Sequence, residues 1–174
     1  SVMPYQPEGV WNVIRHVDRW ITNVDRNEYR RALYTFWRRV SPYPSMMTFD
    51  APSRELCISR RIRTNTPLQA LVTLNDPVFV EASEALANRM IREGGETLTS
   101  QIEHGFQLVL MRSPDKQRLQ YLLDFYDSTL EKYKESIDGS TAYGTGEIAK
   151  TPELRTMINV ANVLLNLDEV IMKG

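Results

Sequence analysis

The stretch Thr66-Pro67-Leu68-Gln69-Ala70-Leu71-Val72-Thr73-Leu74-Asn75-Asp76-Pro77 carries a helix start signal at each of its ends. Thr66 supplies a capping hydroxyl, Pro67 suits the first helical position, and Gln69 completes a capping box. Asp76 and Pro77 repeat the combination of a cap and a proline. The stretch therefore predicts a helix that ends near Leu74 and a second helix that ends near Arg92, where Gly94-Gly95 closes it.

The same combination recurs further along the chain. Ser113-Pro114 predicts a helix that ends near Ser136, and Thr151-Pro152 predicts a last helix that ends near Leu167. Another amphipathic helix is predicted from Thr97 to Met111. Each helix has an apolar stripe that must pack against a neighbour. The predicted inward residues of the longer helices are Phe79, Ala82, Leu86, Met90, Leu98, Ile102, Phe106, Val109, Leu110, Leu119, Leu122, Leu123, Tyr126, Leu130, Tyr133, Leu154, Met157, Ile158, Ala161, Leu164 and Leu165.

Upstream of Thr66 the pattern is less regular. The apolar spacing of Tyr29, Leu33, Phe36 and Trp37 predicts a helix over residues 28–39, which the prolines of the next segment stop. Residues 46–63 have no clear period, yet their apolar and arginine content argues against disorder, so they predict a long ordered loop.

These elements predict an all-α fold. We expect a single bundle-like domain over residues 1–174, with five to six helices and the long arginine-rich loop. Within it, residues 1–27 form an extended arm, residues 28–92 a motif-rich core, and residues 93–174 a helical hairpin and a final helix. Residues 138–150 contain three glycines and predict a flexible loop.

Composition excludes several function classes. The net charge of −1 and the pI of about 6.1 offer no overall field for nucleic acid or an anionic membrane. No apolar run reaches membrane-spanning length. Cys57 is the single cysteine and only two histidines are present, so the sequence predicts no metal site, no haem and no other cofactor in this chain. The start at Ser1 favours a fragment or a processed form.

Charge is unevenly distributed along the chain. Residues 25–63 contain nine arginines, no lysine and four acids, a local balance of +5, which leaves −6 for the remainder. Arginine favours bidentate contacts with carboxylate, sulfate or phosphate groups. The candidate binding residues in and after this segment are Asp50, Arg54, Glu55, Arg60, Arg61, Arg63, Asn65 and Thr66.

Two interpretations of these residues are open. In the first, the guanidinium groups and the N-terminus of the helix at Pro67 form a pocket for an acidic or sulfated glycan. In the second, the arginines tie the long loop to the helices through the chain's own acids and carbonyls. No catalytic residue is assigned, although Asp50 with Glu55, or Asp18 with His16, have the chemistry of a proton donor and acceptor.

Two further groups have a structural and a functional interpretation. Cys57 has arginines nearby that could activate its thiol, but a buried apolar role is favoured because no histidine is close in sequence. An aromatic set could stack on sugars or belong to the core, and the core is favoured because tyrosine and tryptophan tips find polar partners there. The members of this set are Trp11, Trp20, Tyr34, Trp37 and Tyr43.

Several long motifs resemble a known family. They are the segments 31–39 (RALYTFWRR), 44–52 (PSMMTFDAP), 63–71 (RTNTPLQAL) and 74–77 (LNDP), with 4–9 and 162–169 at the two ends. Together they resemble the C-terminal domain of unknown function found in large exported proteins of planctomycetes and related bacteria. Those proteins often carry a cytochrome-c-like haem segment, but the haem motif CxxCH is absent from this chain.

The resemblance implies a setting and partners rather than a reaction. It places the chain in the periplasm or cell envelope, beside upstream domains of a parent protein, and the family's usual genomic company suggests polysaccharide utilisation. We therefore expect a non-catalytic structural or interaction module. The alternative is a carbohydrate-active or hydrolytic unit that uses the Asp50 and arginine pocket.

Overall fold

The fold is all-α, as predicted. In a computed structural model the described residues are 1–10, 20–25, 30–38, 41–52, 56–60, 62–135 and 151–172. Within these ranges the β-structure is limited to one isolated bridge between Val2 and Thr35. Backbone contacts divide the chain into two compact units, Ser1–Gln69 and Ala70–Gly174. The expectation of a single domain over residues 1–174 stays a prediction.

Five helices of nine residues or more account for most of the described structure, which agrees with the predicted five to six. The part of the chain that the structure describes also contains two short helices and one 3-10 helix, Ala32–Tyr34. In chain order the α-helices are α1 Pro44–Thr48, α2 Pro67–Asn75, α3 Pro77–Glu93, α4 Leu98–Leu110, α5 Lys116–Glu135, α6 Pro152–Leu165 and α7 Asp168–Ile171.

The start signals at α2, α3 and α6 are confirmed atom by atom. At α2 the Thr66 N–H donates to Gln69 Oε1 (3.1 Å), and the Gln69 N–H donates to Thr66 Oγ1 (3.3 Å), which is a reciprocal capping box. Asp76 caps α3 by accepting from the Val78 N–H at 3.0 Å. Thr151 caps α6 in the same way. These local bonds satisfy N–H groups that have no partner inside the helix.

The predicted start of α5 at Ser113-Pro114 is wrong by two residues. Helix α5 begins at Lys116. The Asp115 carboxylate accepts from the Arg118 N–H at 2.7 Å, so Asp115 is the residue that caps the first turn. An aspartate with this geometry satisfies the free N–H groups directly, whereas Pro114 lies outside the helix.

Helix α6 is central to the unit Ala70–Gly174. It packs against α3, α4 and α5, and Val160, Ala161 and Leu164 on it are fully buried. The other members of this core are Ala87, Met90, Ile102, Phe106, Leu122, Tyr126, Met157 and Ile158. Because helices in water gain most of their stability by burying one face, α6 supports the neighbours that surround it.

The predicted inward face of α3 is only partly right. Met90 is fully buried, but Ala82 is exposed, and the buried residues beside Met90 are Ser83 and Ala87. Ser83 keeps its hydroxyl satisfied by donating to Phe79 O at 2.7 Å. Small side chains allow another helix to approach α3 closely at this face, and hydrophobicity alone did not identify them.

In the unit Ser1–Gln69, the helix predicted over residues 28–39 is wrong. Among the described residues 30–38, only Ala32–Tyr34 is helical, and Leu33, predicted inward, is 73% exposed. The N-terminal arm pairs with this segment, because the Val2 N–H donates to Tyr34 O (2.8 Å) and the Phe36 N–H donates to Val2 O (2.7 Å). These long-range bonds hold the segment extended despite its helical spacing.

The long ordered loop over residues 46–63 is not confirmed. Its first three residues belong to α1, which begins at Pro44. Residues 56–60 and 62–63 contain no helix or strand, and residues 53–55 and 61 lie outside the described residues. The flexible loop predicted over residues 138–150 also lies outside the described residues.

A surface ion-pair cluster connects α7 to the turn before α5. Glu169 Oε1 accepts from Arg112 Nη2 and from Arg118 Nη1, both at 2.8 Å. The hydrogen bond from Arg118 is the main cause that lowers the pKa of Glu169 below its ordinary value. A carboxylate with a lowered pKa stabilises the fold above the pKa of the unfolded chain, and this contribution is lost as pH falls.

We therefore expect Glu169→Gln to cost a small amount of stability at neutral pH and nothing at acidic pH, because these side chains are exposed. Urea unfolding of both proteins at about pH 6 and about pH 3 measures this difference. The pKa of Glu93 is also lowered, mainly by its hydrogen bond with Arg89. Its contribution cancels when the free energy of unfolding of the variant is subtracted from that of the wild type. An equal loss at both pH values would contradict the expected ion-pair contribution.

Candidate functional site

Asp50 forms a polar clamp with residues that follow it in the chain. Its Oδ2 accepts from the Thr64 N–H (2.7 Å), from Thr64 Oγ1 (2.8 Å) and from Gln69 Nε2 (3.3 Å). The backbone of Asp50 is left-handed, with φ of 57°, a conformation that aspartate tolerates better than most residues. The clamp therefore joins the end of α1 to the start of α2 within the unit Ser1–Gln69.

Gln69 is the buried member of this clamp. Its side chain is 1% exposed, and its Nε2 also donates to Thr48 O at 2.9 Å. Sequence analysis assigned Gln69 only to the capping box and missed Thr64 and Thr48 altogether. A buried polar group needs internal partners, but a glutamine at this position of a helix already has a local explanation, so the sequence did not signal the wider network.

The predicted binding residues separate into distinct environments. Asp50 and Thr66 lie in the clamp and the capping box, whereas Arg60, Arg63 and Asn65 are exposed. Arg54, Glu55 and Arg61 lie outside the described residues. The described candidate residues therefore do not share one environment. The hypothesis of an anion site at these residues stays a prediction.

The aromatic set is mostly accounted for by packing near the N-terminal arm. Trp20 stacks on Tyr43 with ring centroids 5.8 Å apart and contacts the edge of Phe36. The Tyr43 hydroxyl donates to Tyr5 O (2.6 Å), and Trp20 Nε1 donates to Pro4 O (2.8 Å). These polar tips hold the arm, so Trp20 and Tyr43 support the core interpretation rather than a sugar platform.

The remaining aromatic residues differ from this pair. Tyr34 is 45% exposed, with the Arg30 guanidinium 5.6 Å from its ring centroid. Trp37 is half-buried, and Trp11 lies outside the described residues.

Few side chains in the described part of the chain are arranged as metal ligands or as acid–base pairs. No group of three or more His, Cys, Asp or Glu side chains within it could hold a metal ion. His104 is half-buried, and its Nε2 lies 3.5 Å from Oε2 of the exposed Glu93. His16, Asp18 and Glu55, named as acid–base candidates, lie outside the described residues, so those hypotheses stay untested.

The predicted buried role of Cys57 is wrong, because the residue is exposed. Its neighbours Leu56 and Ile58 are also exposed, so this segment does not enter the core and the thiol stays at the surface.

A groove of about 650 Å³ lies away from the predicted residues, in the unit Ala70–Gly174. Its lining is mainly apolar, with Phe106, Tyr121 and Leu122 among its members. Its lining includes two acids, Asp168 and Glu169, and Glu169 is the one held by two arginines, with a lowered pKa. An ionised, paired carboxylate is a poor proton donor at neutral pH, so Glu169 is not suited to act as a general acid.

Helix α2 has an inverted distribution of polar and apolar side chains. Gln69 and Thr73 are 1% and 2% exposed, whereas Leu68 and Leu71 are each 57% exposed and Leu74 is 39% exposed. At about 100° per residue the three leucines form one stripe, and the two polar residues lie on the opposite side. Soluble helices ordinarily bury the apolar side and expose the polar one. The apolar face of α2, defined by these leucines, is therefore the surface that most needs a partner.

Polar contacts also hold the second half of α2. Thr73 Oγ1 donates to Asn166 Oδ1 at 2.6 Å, just after α6. The hydroxyl is also 2.9 Å from Ala70 O. Because Thr73 is nearly fully buried, these bonds fix the side of α2 that faces the protein and leave the leucines outside.

Comparison with known proteins now gives a family. The sequence matches the family described as "Protein of unknown function (DUF1553)" over residues 1–126. The chain belongs to this family. No curated protein and no solved structure matches the sequence. The predicted resemblance to a domain of unknown function is thus confirmed, and membership assigns no reaction.

The family match ends inside α5, at residue 126. It includes the clamp residues, the apolar face of α2 and helices α3 and α4. Helix α6, which packs against α3, α4 and α5, lies beyond it. Among the described residues, no helix has the length and apolar character to cross a membrane.

Proposed function

We propose that this DUF1553 chain is a non-catalytic interaction module that docks on upstream domains of a larger exported bacterial protein. The apolar face of α2 carries the proposal. A setting in the periplasm or cell envelope of planctomycete-type bacteria, beside a cytochrome-c-like segment and with a role in polysaccharide utilisation, belongs to the same proposal. That setting is supported by the sequence resemblance described above.

The energetics favour an intramolecular partner. Burying a leucine side chain that is now half exposed gains about 1 kcal/mol or somewhat more. Three such side chains alone give weak binding between separate molecules, since association has a large entropic cost. When both surfaces belong to one polypeptide, the effective concentration reaches the millimolar range, and weak contacts suffice. An upstream domain of the same parent is therefore the occupant that fits this face.

The alternative, a carbohydrate-active unit, has less support from the described geometry. The Asp50 carboxylate accepts three hydrogen bonds from protein donors. A group held in this way positions the chain rather than attacking a substrate, and its negative charge opposes an acidic or sulfated glycan. Exposed Arg60 and Arg63 are the features that favour glycan binding.

The test is to produce the upstream region of the parent as a separate polypeptide and titrate it with this chain by calorimetry. We expect measurable binding that Leu71→Glu weakens at least tenfold, because a charge would enter an apolar contact. Ile91→Glu is the matched control, since Ile91 on α3 is 39% exposed, as Leu74 is. Leu74→Glu should therefore weaken binding, whereas Ile91→Glu should not.

Two results would contradict the proposal. One is equal binding by wild type and both leucine variants, which would place the contact elsewhere. The other is no binding of the upstream region at concentrations up to the millimolar range. Circular dichroism of each variant checks that its helices are intact.

A further inference from the structure

The segment Leu56–Arg63 presents large aliphatic side chains to solvent. Leu56 and Ile62 are each 80% exposed, and Ile58 is 53% exposed. Arg60 and Arg63 are exposed among them. Scattered exposed aliphatic residues are common on protein surfaces, but three within seven positions form a concentrated apolar segment.

The Asp50 clamp fixes the base of this segment. Thr64 directly follows Arg63, and its N–H and hydroxyl both donate to Asp50. Asp50 and Thr64, which flank residues 51–63, are therefore held together by these two bonds.

The local charge has one dominant sign. Residues 51–63 contain four arginines and one glutamate, a balance of +3. The net charge of −1 for the whole chain conceals this local excess. Aliphatic side chains beside guanidinium groups are the combination that binds the interface of an anionic bilayer, where apolar groups enter the acyl boundary and cations meet phosphates.

A lipid surface fits the segment better than a protein partner does. Tight contacts between separate protein molecules commonly depend on aromatic anchors. Residues 51–63 contain no aromatic residue. A bilayer interface needs no matching pocket, so exposed branched aliphatic side chains can insert without a shaped partner.

We propose that the segment Leu56–Arg63 binds the surface of an anionic lipid bilayer. Leu56, Ile58 and Ile62 enter the interface, and Arg60 pairs with lipid phosphates. The binding is peripheral and reversible, since three aliphatic side chains bury little area. It is independent of the docking proposed for α2, which uses other residues and another partner.

Co-sedimentation of the 174-residue chain with vesicles tests the proposal. One set contains phosphatidylcholine alone, and the other contains equal parts of phosphatidylcholine and phosphatidylglycerol. We expect binding to the anionic set only, with loss of binding as salt is raised. Arg60→Gln should lower the partition coefficient about fivefold, and Ile62→Asn should lower it about tenfold or more.

Matched controls separate this segment from general surface properties. Val24→Asn removes an aliphatic side chain that is 91% exposed, and Arg31→Gln removes an exposed arginine, both in the same unit. Neither should change partitioning by more than about twofold, since a single distant charge is largely screened at physiological salt. Thermal unfolding confirms that the exposed substitutions leave the fold intact.

Three results would overturn the proposal. They are absence of binding to either vesicle set, equal binding to both, and equal loss for the control and segment variants. The first would assign the exposed segment to a protein contact instead.

Discussion

Replacing Gly105 with alanine is expected to destabilise the protein by about 2–3 kcal/mol. A Cβ atom at Gly105 would lie 2.6 Å from Sδ, 2.7 Å from Cε and 2.8 Å from Cγ of Met90. Met90 is fully buried on α3, so its side chain must repack among core residues or the two helices must move apart. Both responses disturb the core that α3 and α4 share.

The sign of this effect makes the test decisive. Alanine has the higher helix propensity by about 1 kcal/mol, so local preference alone predicts that Gly105→Ala stabilises α4. The close approach of Met90 to position 105 predicts instead that Gly105→Ala destabilises the protein. Urea unfolding followed by far-ultraviolet circular dichroism reports on this unit, which contains the long helices. Thr99→Ala, at an exposed position of the same helix, is the control and should not destabilise.

A double-mutant cycle identifies the cause. Met90→Ala creates a cavity and should itself cost about 2–5 kcal/mol. In that background the Gly105→Ala substitution meets no thioether, so its penalty should disappear or become a gain of up to about 1 kcal/mol. The same penalty in both backgrounds would show that contact with Met90 is not the reason for glycine here.

Local chemistry explains which parts of the fold could be predicted. A side-chain cap and a proline act within four residues, so Thr66, Asp76 and Thr151 located the observed first residues of α2, α3 and α6. The same argument failed at Ser113-Pro114 because Asp115, directly afterwards, is the residue that caps α5.

Tertiary pairing explains what could not be predicted. The apolar spacing of Leu33 and Phe36 suits a helix, but the arm residue Val2 bonds to the backbone on both sides of Thr35. Such a contact joins residues more than thirty positions apart, and periodicity contains no information about it.

Hydrophobic spacing also cannot tell an exposed stripe from a buried one. The leucines of α2 have the spacing of a core-facing stripe, yet Gln69 and Thr73 occupy the inward side. The candidate binding residues could likewise be predicted only in part. Asp50 and Thr66 were identified from the sequence, but their partner Thr64 was not, since nothing in its neighbours indicates a bond to a side chain fourteen positions earlier.

Loss of the Asp50 carboxylate is the second large expected effect. Asp50→Ala should cost about 3 kcal/mol in the unit Ser1–Gln69. The Thr64 N–H loses its acceptor, at a cost of about 1–3 kcal/mol when it stays buried. A left-handed alanine adds about 1 kcal/mol. Asp50→Asn should be the mildest change, because it keeps an oxygen acceptor and tolerates this backbone conformation.

Asp50→Gly separates the two contributions, since glycine accepts a φ of 57° without strain but loses every bond to the carboxylate. The expected order of stability is therefore wild type, asparagine, glycine and alanine. Tryptophan fluorescence is the suitable probe, because all three tryptophans lie at positions 11, 20 and 37, inside this unit.

The outcome also decides between the two roles of Asp50. If the Asp50 carboxylate acts on a ligand, its removal should leave the unfolding midpoint measured by fluorescence unchanged or should raise it, because functional polar groups commonly reduce stability. A carboxylate that closes the base of the segment Leu56–Arg63 must lower it. An unchanged midpoint in Asp50→Ala would therefore exclude the clamp as a stabilising element. It would also restore the anion pocket as the better hypothesis for these residues.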